Sequence, residues 1–132
     1  MQLIDMLDSP CVRRVAVSMK LMGLSYEHRS ISVFRQFAEF QNINPLVKVP
    51  TLVCDDGEIL MKSTLIIDCL EGLVPAGCSL MPEGEKPRRD ALKNIGIALV
   101  AADAREAGHY PSLAAYFARA EALPEFMSTP LE

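Results

Sequence analysis

Pro50-Thr51-Leu52-Val53-Cys54-Asp55-Asp56-Gly57-Glu58-Ile59-Leu60-Met61 carries a strand-turn-strand pattern that constrains the fold more than any other segment. Thr51 to Cys54 is a short apolar run opened by a proline, Asp55 to Glu58 form a turn around Gly57, and Ile59 to Met61 return. Strands joined by so tight a turn are antiparallel neighbours in one sheet.

Upstream of this hairpin the pattern alternates between strand and helix. Gln2 to Met6, with Leu3 and Ile4, reads as a short buried strand that breaks at Asp8, Ser9 and Pro10. A helix follows, with Ser9 at its N-cap, Pro10 in its first position, apolar Val12, Val15, Ala16, Met19 and Met22 at helical spacing, and Gly23 as its stop. Tyr26 to Val33 alternates weakly and suits a second strand. Phe34, Phe37, Ala38 and Gln41 then suggest a short helix that closes before Asn44 and Pro45. The crossover between the first two strands makes them parallel, whereas the hairpin adds antiparallel strands, so the expected sheet is mixed and covered by helices on both faces.

Downstream, Ser63 is read as the cap of a helix with Ile66, Ile67, Leu70, Leu73 and Val74 on its apolar side. Pro75 to Lys86 is rich in proline and glycine and reads as a linker. From Arg88 to Ala107 a helix carries apolar residues on two sides: Leu92, Ile95, Leu99 and Ala102 form one row, and Ile97, Val100, Ala101 and Ala104 the other. Such a helix should pack on the first domain and on either the last helix or a second subunit, so a homodimer is one expectation. A last helix is expected from Pro111, with Leu113, Tyr116, Phe117 and Ala120 as its apolar row, followed by a loosely held tail from Glu125 to Glu132.

The chain has 132 residues, half of them apolar, which is enough for one ordinary core or one small domain with an appendage. A net charge of -4, with 13 basic residues spread along the chain, offers no stripe for a phosphate backbone or an anionic membrane. No segment approaches the ~20 apolar residues of a membrane span, and the first residues lack the blocks of a secretion signal. The expectations are therefore no nucleic acid, no membrane and a cytoplasmic location. Cys11, Cys54, Cys69 and Cys78 have neither the spacing of a metal site nor the density of a disulfide scaffold, and read as reduced thiols. His28 and His109 have no motif around them, so no metal is expected.

Three segments, in this order, resemble the glutathione transferase superfamily. Ser9-Pro10-Cys11-Val12-Arg13-Arg14-Val15 is similar to the family's nucleophile-activating turn into the first helix. Asn44-Pro45-Leu46-Val47-Lys48-Val49-Pro50-Thr51-Leu52 resembles the loop that enters the third strand through a cis proline. Ser63 through Glu71 resembles the helix whose start holds the glutamyl end of glutathione. The likeness covers residues 1 to 74 and returns at Pro111 to Pro130, in the family's closing helix and tail. The resemblance thus implies an α/β thioredoxin-like N-terminal domain at 1–74, with a mixed four-stranded sheet in the order βαβαββα. A linker at 75–86 leads to a reduced all-α C-terminal region at 87–132, short of the family's middle helices.

By the same resemblance the chain takes glutathione as co-substrate, needs no other cofactor, and activates the thiol for attack on a small electrophile. The thiolate is the nucleophile and a free thiol has pKa ~8.5, so the site must favour negative sulfur. A hydroxyl at a helix start does so by donating to the sulfur, while the exposed amides and the macrodipole add positive potential. Ser9 is the candidate for that role, against the plainer role of a helix cap. Cys11 is the second candidate, against a small buried apolar side chain. The turn Ser9-Pro10-Cys11-Val12 has no cysteine at either end, so dithiol exchange is not the expected chemistry, although one-thiol chemistry through Cys11 stays open.

For binding, the backbone of Val49 would pair with the cysteinyl part of glutathione like an added strand, with Pro50 cis. Lys48 either reaches the glycyl carboxylate or stays solvated. Ser63 offers hydroxyl and amide to the glutamyl carboxylate. Lys62 departs from the family, which usually has an acidic or amide residue there to accept the glutamyl ammonium. Pointing inward, it repels that ammonium by ~1 to 4 kcal/mol; swung outward, or recruiting the carboxylate, it does not. The rival reading is a non-catalytic interaction module that keeps the fold but not the turnover.

Overall fold

The computed structural model describes residues 1–92, 118–119 and 122–130. Its sheet has four strands, β1 (Gln2–Ile4), β2 (Glu27–Arg29), β3 (Thr51–Val53) and β4 (Ile59–Met61), in the spatial order β2-β1-β3-β4. β1 and β2 are parallel, while β3 is antiparallel to both β1 and β4. Helices α1 (Pro10–Leu21), α2 (Phe37–Ile43) and α3 (Ser63–Glu71) complete the βαβαββα order. This is the mixed thioredoxin-like sheet that the hairpin and the crossover require.

Successive strand residues point to opposite faces, and both faces are covered. Leu3 and Leu52 face one way, where fully buried Val12, Val15, Ala16 and Met19 of α1 meet Ile66 and Leu70 of α3. Ile4 and Val53 face the other, against Phe40 of α2 and Ile31. Each such aliphatic side chain taken wholly out of water contributes ~1.5 to 3 kcal/mol before chain entropy is counted, so the two clusters hold the sheet as a central layer.

Three details differ from the sequence expectation. The second strand is only three residues long, because β2 is an edge strand paired on one side alone. Phe34 and Phe37, expected on the buried row of the short helix, are 93% and 51% exposed, and Phe40 is the residue that docks α2. Leu73, expected on the apolar side of the following helix, lies beyond Glu71 and is largely exposed.

The linker region is tied down. Glu71, the last residue of α3, accepts hydrogen bonds from the Ser79 hydroxyl and from the Leu80 amide, around a single 3-10 turn at Ala76–Cys78. Helix resumes at residue 85, three residues before Arg88. Most of that helix, and the apolar row of the last one, lie outside the described residues, as does His109. No helix among the described residues is long and apolar enough to cross a membrane.

The tail was expected to be loosely held, yet Pro124–Met127 is helical and docks on α1. Arg13 donates to the Thr129 carbonyl (2.8 Å) and its guanidinium lies 5.4 Å from the centre of the Phe126 ring. Lys20 donates to the Ser128 carbonyl and hydroxyl (2.6 and 2.9 Å), and Thr129 is buried. Two cations of α1 thus fasten carbonyls that a short helix leaves unsatisfied.

Candidate functional site

The ladder register builds the site. Ile4 pairs with Thr51, and Thr51 with Met61, so these three residues form one row across the sheet. β1 leaves that row toward Ser9, β3 enters it from Val49 and Pro50, and β4 leaves it toward Lys62 and Ser63. Three segments far apart in sequence therefore converge at one end of the sheet.

At the start of α1, Ser9 has extended φ and ψ of -72° and 118° and occupies the N-cap position, but its hydroxyl caps nothing. Among the described residues that hydroxyl has no hydrogen-bond partner and is left available. Arg13 makes the first intrahelical bond, back to the Ser9 carbonyl (3.0 Å), so the amides of Cys11 and Val12 ahead of it have no helical acceptor. The first turn carries no acidic residue to neutralise them. Cys11 is half-buried, and all four cysteines are free thiols. The loop before Ser9 is braced by His28, whose ring Nε2 lies 2.8 Å from the Asp5 carbonyl.

The loop 44–50 is shaped by a buried polar knot. Asn44, 2% exposed, donates to the Thr51 hydroxyl (2.8 Å) and accepts from the Leu46 amide (3.0 Å), while Thr51 donates to the Lys48 carbonyl (2.6 Å). Each buried polar group is thereby paired, which a loop passing so close to the core requires. The Val49–Pro50 peptide bond is cis. Pro50 is buried, Val49 touches both core clusters, and among the described residues the Val49 backbone makes no hydrogen bond. Lys48 is exposed.

At the start of α3 the cap differs from the sequence reading. Lys62, not Ser63, is the N-cap residue, and no side chain caps the helix. Lys62 sits at φ 70° and ψ 113°, in the left-handed range that costs a non-glycine residue ~1 to 3 kcal/mol. Ser63 is the first helical residue and is buried. Lys62 is exposed and has no ion-pair partner among the described residues.

Arg14 is the residue that sequence reasoning passed over as a site residue. From the second turn of α1 its Nη1 donates to Ser63 Oγ (3.4 Å) and Thr64 Oγ1 (3.3 Å), joining the two helix starts. Burial lowers the guanidinium's pKa from its ordinary value, and the neighbouring Cys11 sulfur opposes that shift. No carboxylate pairs with Arg14 among the described residues. The signal was present in the sequence only as the second arginine of Arg13-Arg14, with nothing to say that it spans 49 residues to α3.

A βαβαββα sheet with a cis proline between two open helix starts defines the class: a thioredoxin-like domain. The family profile described as "Glutathione S-transferase, N-terminal domain" matches residues 3–78. The chain belongs to the glutathione transferase superfamily.

Among curated relatives, the "Maleylacetoacetate isomerase" of Pseudomonas aeruginosa is 33% identical over 68% of this chain and 43% of its own length. "Glutathione transferase GST 23" of Zea mays is 27% identical over 68% of this chain and 40% of its own length. A glutathione S-transferase structure from Rhodospirillum rubrum superposes with a TM-score of 0.66 at 26% identity, covering 74% of this chain and 43% of that one. A family member from Pseudomonas fluorescens, solved with bound glutathione, gives 0.59 at 28% identity, covering 74% of this chain and 49% of that one. The chain thus spans less than half the length of these relatives.

Proposed function

We propose that this chain binds glutathione across the Ile4–Thr51–Met61 end of the sheet and activates its thiol for attack on a small electrophile. The observation that carries this reading is the convergence of the Ser9, Val49 and Ser63 segments on one sheet row. The bound glutathione in the Pseudomonas fluorescens relative supports the choice of peptide.

The cysteinyl backbone adds to the free edge of Val49 as a short strand. Its sulfur then lies at the start of α1, where the Ser9 hydroxyl donates to it and the unsatisfied Cys11 and Val12 amides favour negative charge. The thiol proton leaves to solvent, and the sulfur lone pair forms the new bond to carbon as the electrophile's leaving group departs with its electron pair. Ser63 and the start of α3 hold the glutamyl carboxylate, and Lys48 lies within the reading as the contact for the glycyl carboxylate. Four free thiols fit a reducing, cytoplasmic setting, and a second copy of the chain is the proposed cover for the open side of the groove.

Calorimetric titration with glutathione, followed by a conjugation assay with chlorodinitrobenzene, tests the proposal. Saturable binding and turnover that is lost in Ser9→Ala but kept in Cys11→Ser is the expected result. The opposite mutant pattern would assign single-thiol chemistry to Cys11. The rival reading, a non-catalytic interaction module, is favoured by Lys62 standing unpaired at the glutamyl end, and it predicts no saturable binding at all.

A further inference from the structure

The start of α3 gathers positive charge and no compensating acid. Arg14 reaches it from α1 and contacts both Ser63 and Thr64, and Lys62 stands at its N-cap. Neither cation has a carboxylate partner among the described residues, and α3 has no acidic residue in its first turn. The guanidinium is half-buried, so it is partly stripped of water while its bonding partners are two neutral hydroxyls at 3.3 and 3.4 Å. Charge so placed is complementary to an anion, and hydroxyls that accept from Arg14 keep their own protons to donate.

Glutathione brings to such a place a carboxylate and, one bond away from the same carbon, an ammonium. The carboxylate is attracted by Arg14, Lys62 and the amide end of the helix. An ammonium held there is repelled by Arg14 and Lys62, and among the described residues neither the first turn of α3 nor an ion pair to either cation brings a carboxylate to offset them. Resting on the glutathione reading above, we infer that this end of the groove selects a peptide thiol whose terminal carboxylate has no ammonium beside it, with Arg14 and Lys62 as the specificity-determining residues.

Glutaryl-cysteinyl-glycine differs from glutathione only in lacking that ammonium, and calorimetric titration of the full chain with the two peptides in parallel is the test. The deaminated peptide is expected to bind about tenfold more tightly, with the advantage shrinking as salt is raised. Lys62→Glu, a change at an exposed position, is expected to reverse the preference toward glutathione. Arg14→Gln is expected to weaken both peptides about tenfold, with a thermal melt confirming that the variant is folded. Equal or tighter binding of glutathione to the unmodified chain would overturn the inference while leaving the glutathione reading standing. An unchanged preference in Lys62→Glu would also overturn it. Binding of neither peptide would overturn both readings together.

Discussion

The starts of α1 and α3 face the same end of one sheet and use the same physical device, a ring of unsatisfied amides, yet their side chains prepare them for different atoms. At α1 a neutral hydroxyl and a thiol accompany the amides, in ordinary extended backbone at Ser9. At α3 two cations and two hydroxyls accompany them, on backbone held at positive φ by Lys62. A soft anion formed during reaction needs donors aimed at the charge as it develops. A carboxylate that is already ionised needs only to be gripped. Under the proposed function, the α1 start serves the chemistry and the α3 start the anchorage.

That contrast makes unequal predictions for matched substitutions. Ser9→Ala should lower kcat/KM for conjugation about a hundredfold, the usual cost of one donor to a developing anion, with little change in peptide affinity. Ser63→Ala should do the reverse, weakening peptide binding about tenfold in calorimetry while leaving the turnover of saturated enzyme nearly unchanged. Similar losses in both parameters from both variants would erase the distinction.

Lys62→Gly removes the side chain from a positive φ and should stabilise the fold by about 1 kcal/mol in urea melts, offset in part by the greater freedom of glycine in the unfolded chain. Ser9→Gly, at an ordinary φ, should give no such gain. The smallest effect concerns the thiols. Cys11 lies within electrostatic reach of Arg14, whereas Cys54 sits among Asp55, Asp56 and Glu58, and burial first and those acids second push its thiol up. The ratio of labelling by anionic iodoacetate to labelling by neutral iodoacetamide should therefore be about threefold higher at Cys11 than at Cys54, by mass spectrometry.

The parts of this molecule that were legible in the sequence are those governed by local chemistry. The hairpin from Thr51 to Met61, the proline opening of α1 and its apolar row at Val12, Val15, Ala16 and Met19 were all readable, because turn residues and periodicity act within a few positions. The buried face of α2 was not, since seven residues hold too few turns for a period to separate Phe40 from Phe34 and Phe37. The cap of α3 was misplaced by one residue because serine is a strong capping type, while Lys62, the residue directly after β4, takes the N-cap at positive φ. Arg14 and the Asn44–Thr51 knot belong to contacts between elements, which no local pattern encodes.

Ultraviolet difference titration of the glutathione thiolate, bound to the native chain and to Ser9→Ala, reads the proposed activation at the sulfur itself. The bound thiol is expected to ionise at least about one pH unit below the ~8.5 of a free thiol, and the shift to disappear largely in the variant. A bound thiol that titrates like the free peptide, or a shift that Ser9→Ala leaves intact, would contradict the proposed activation.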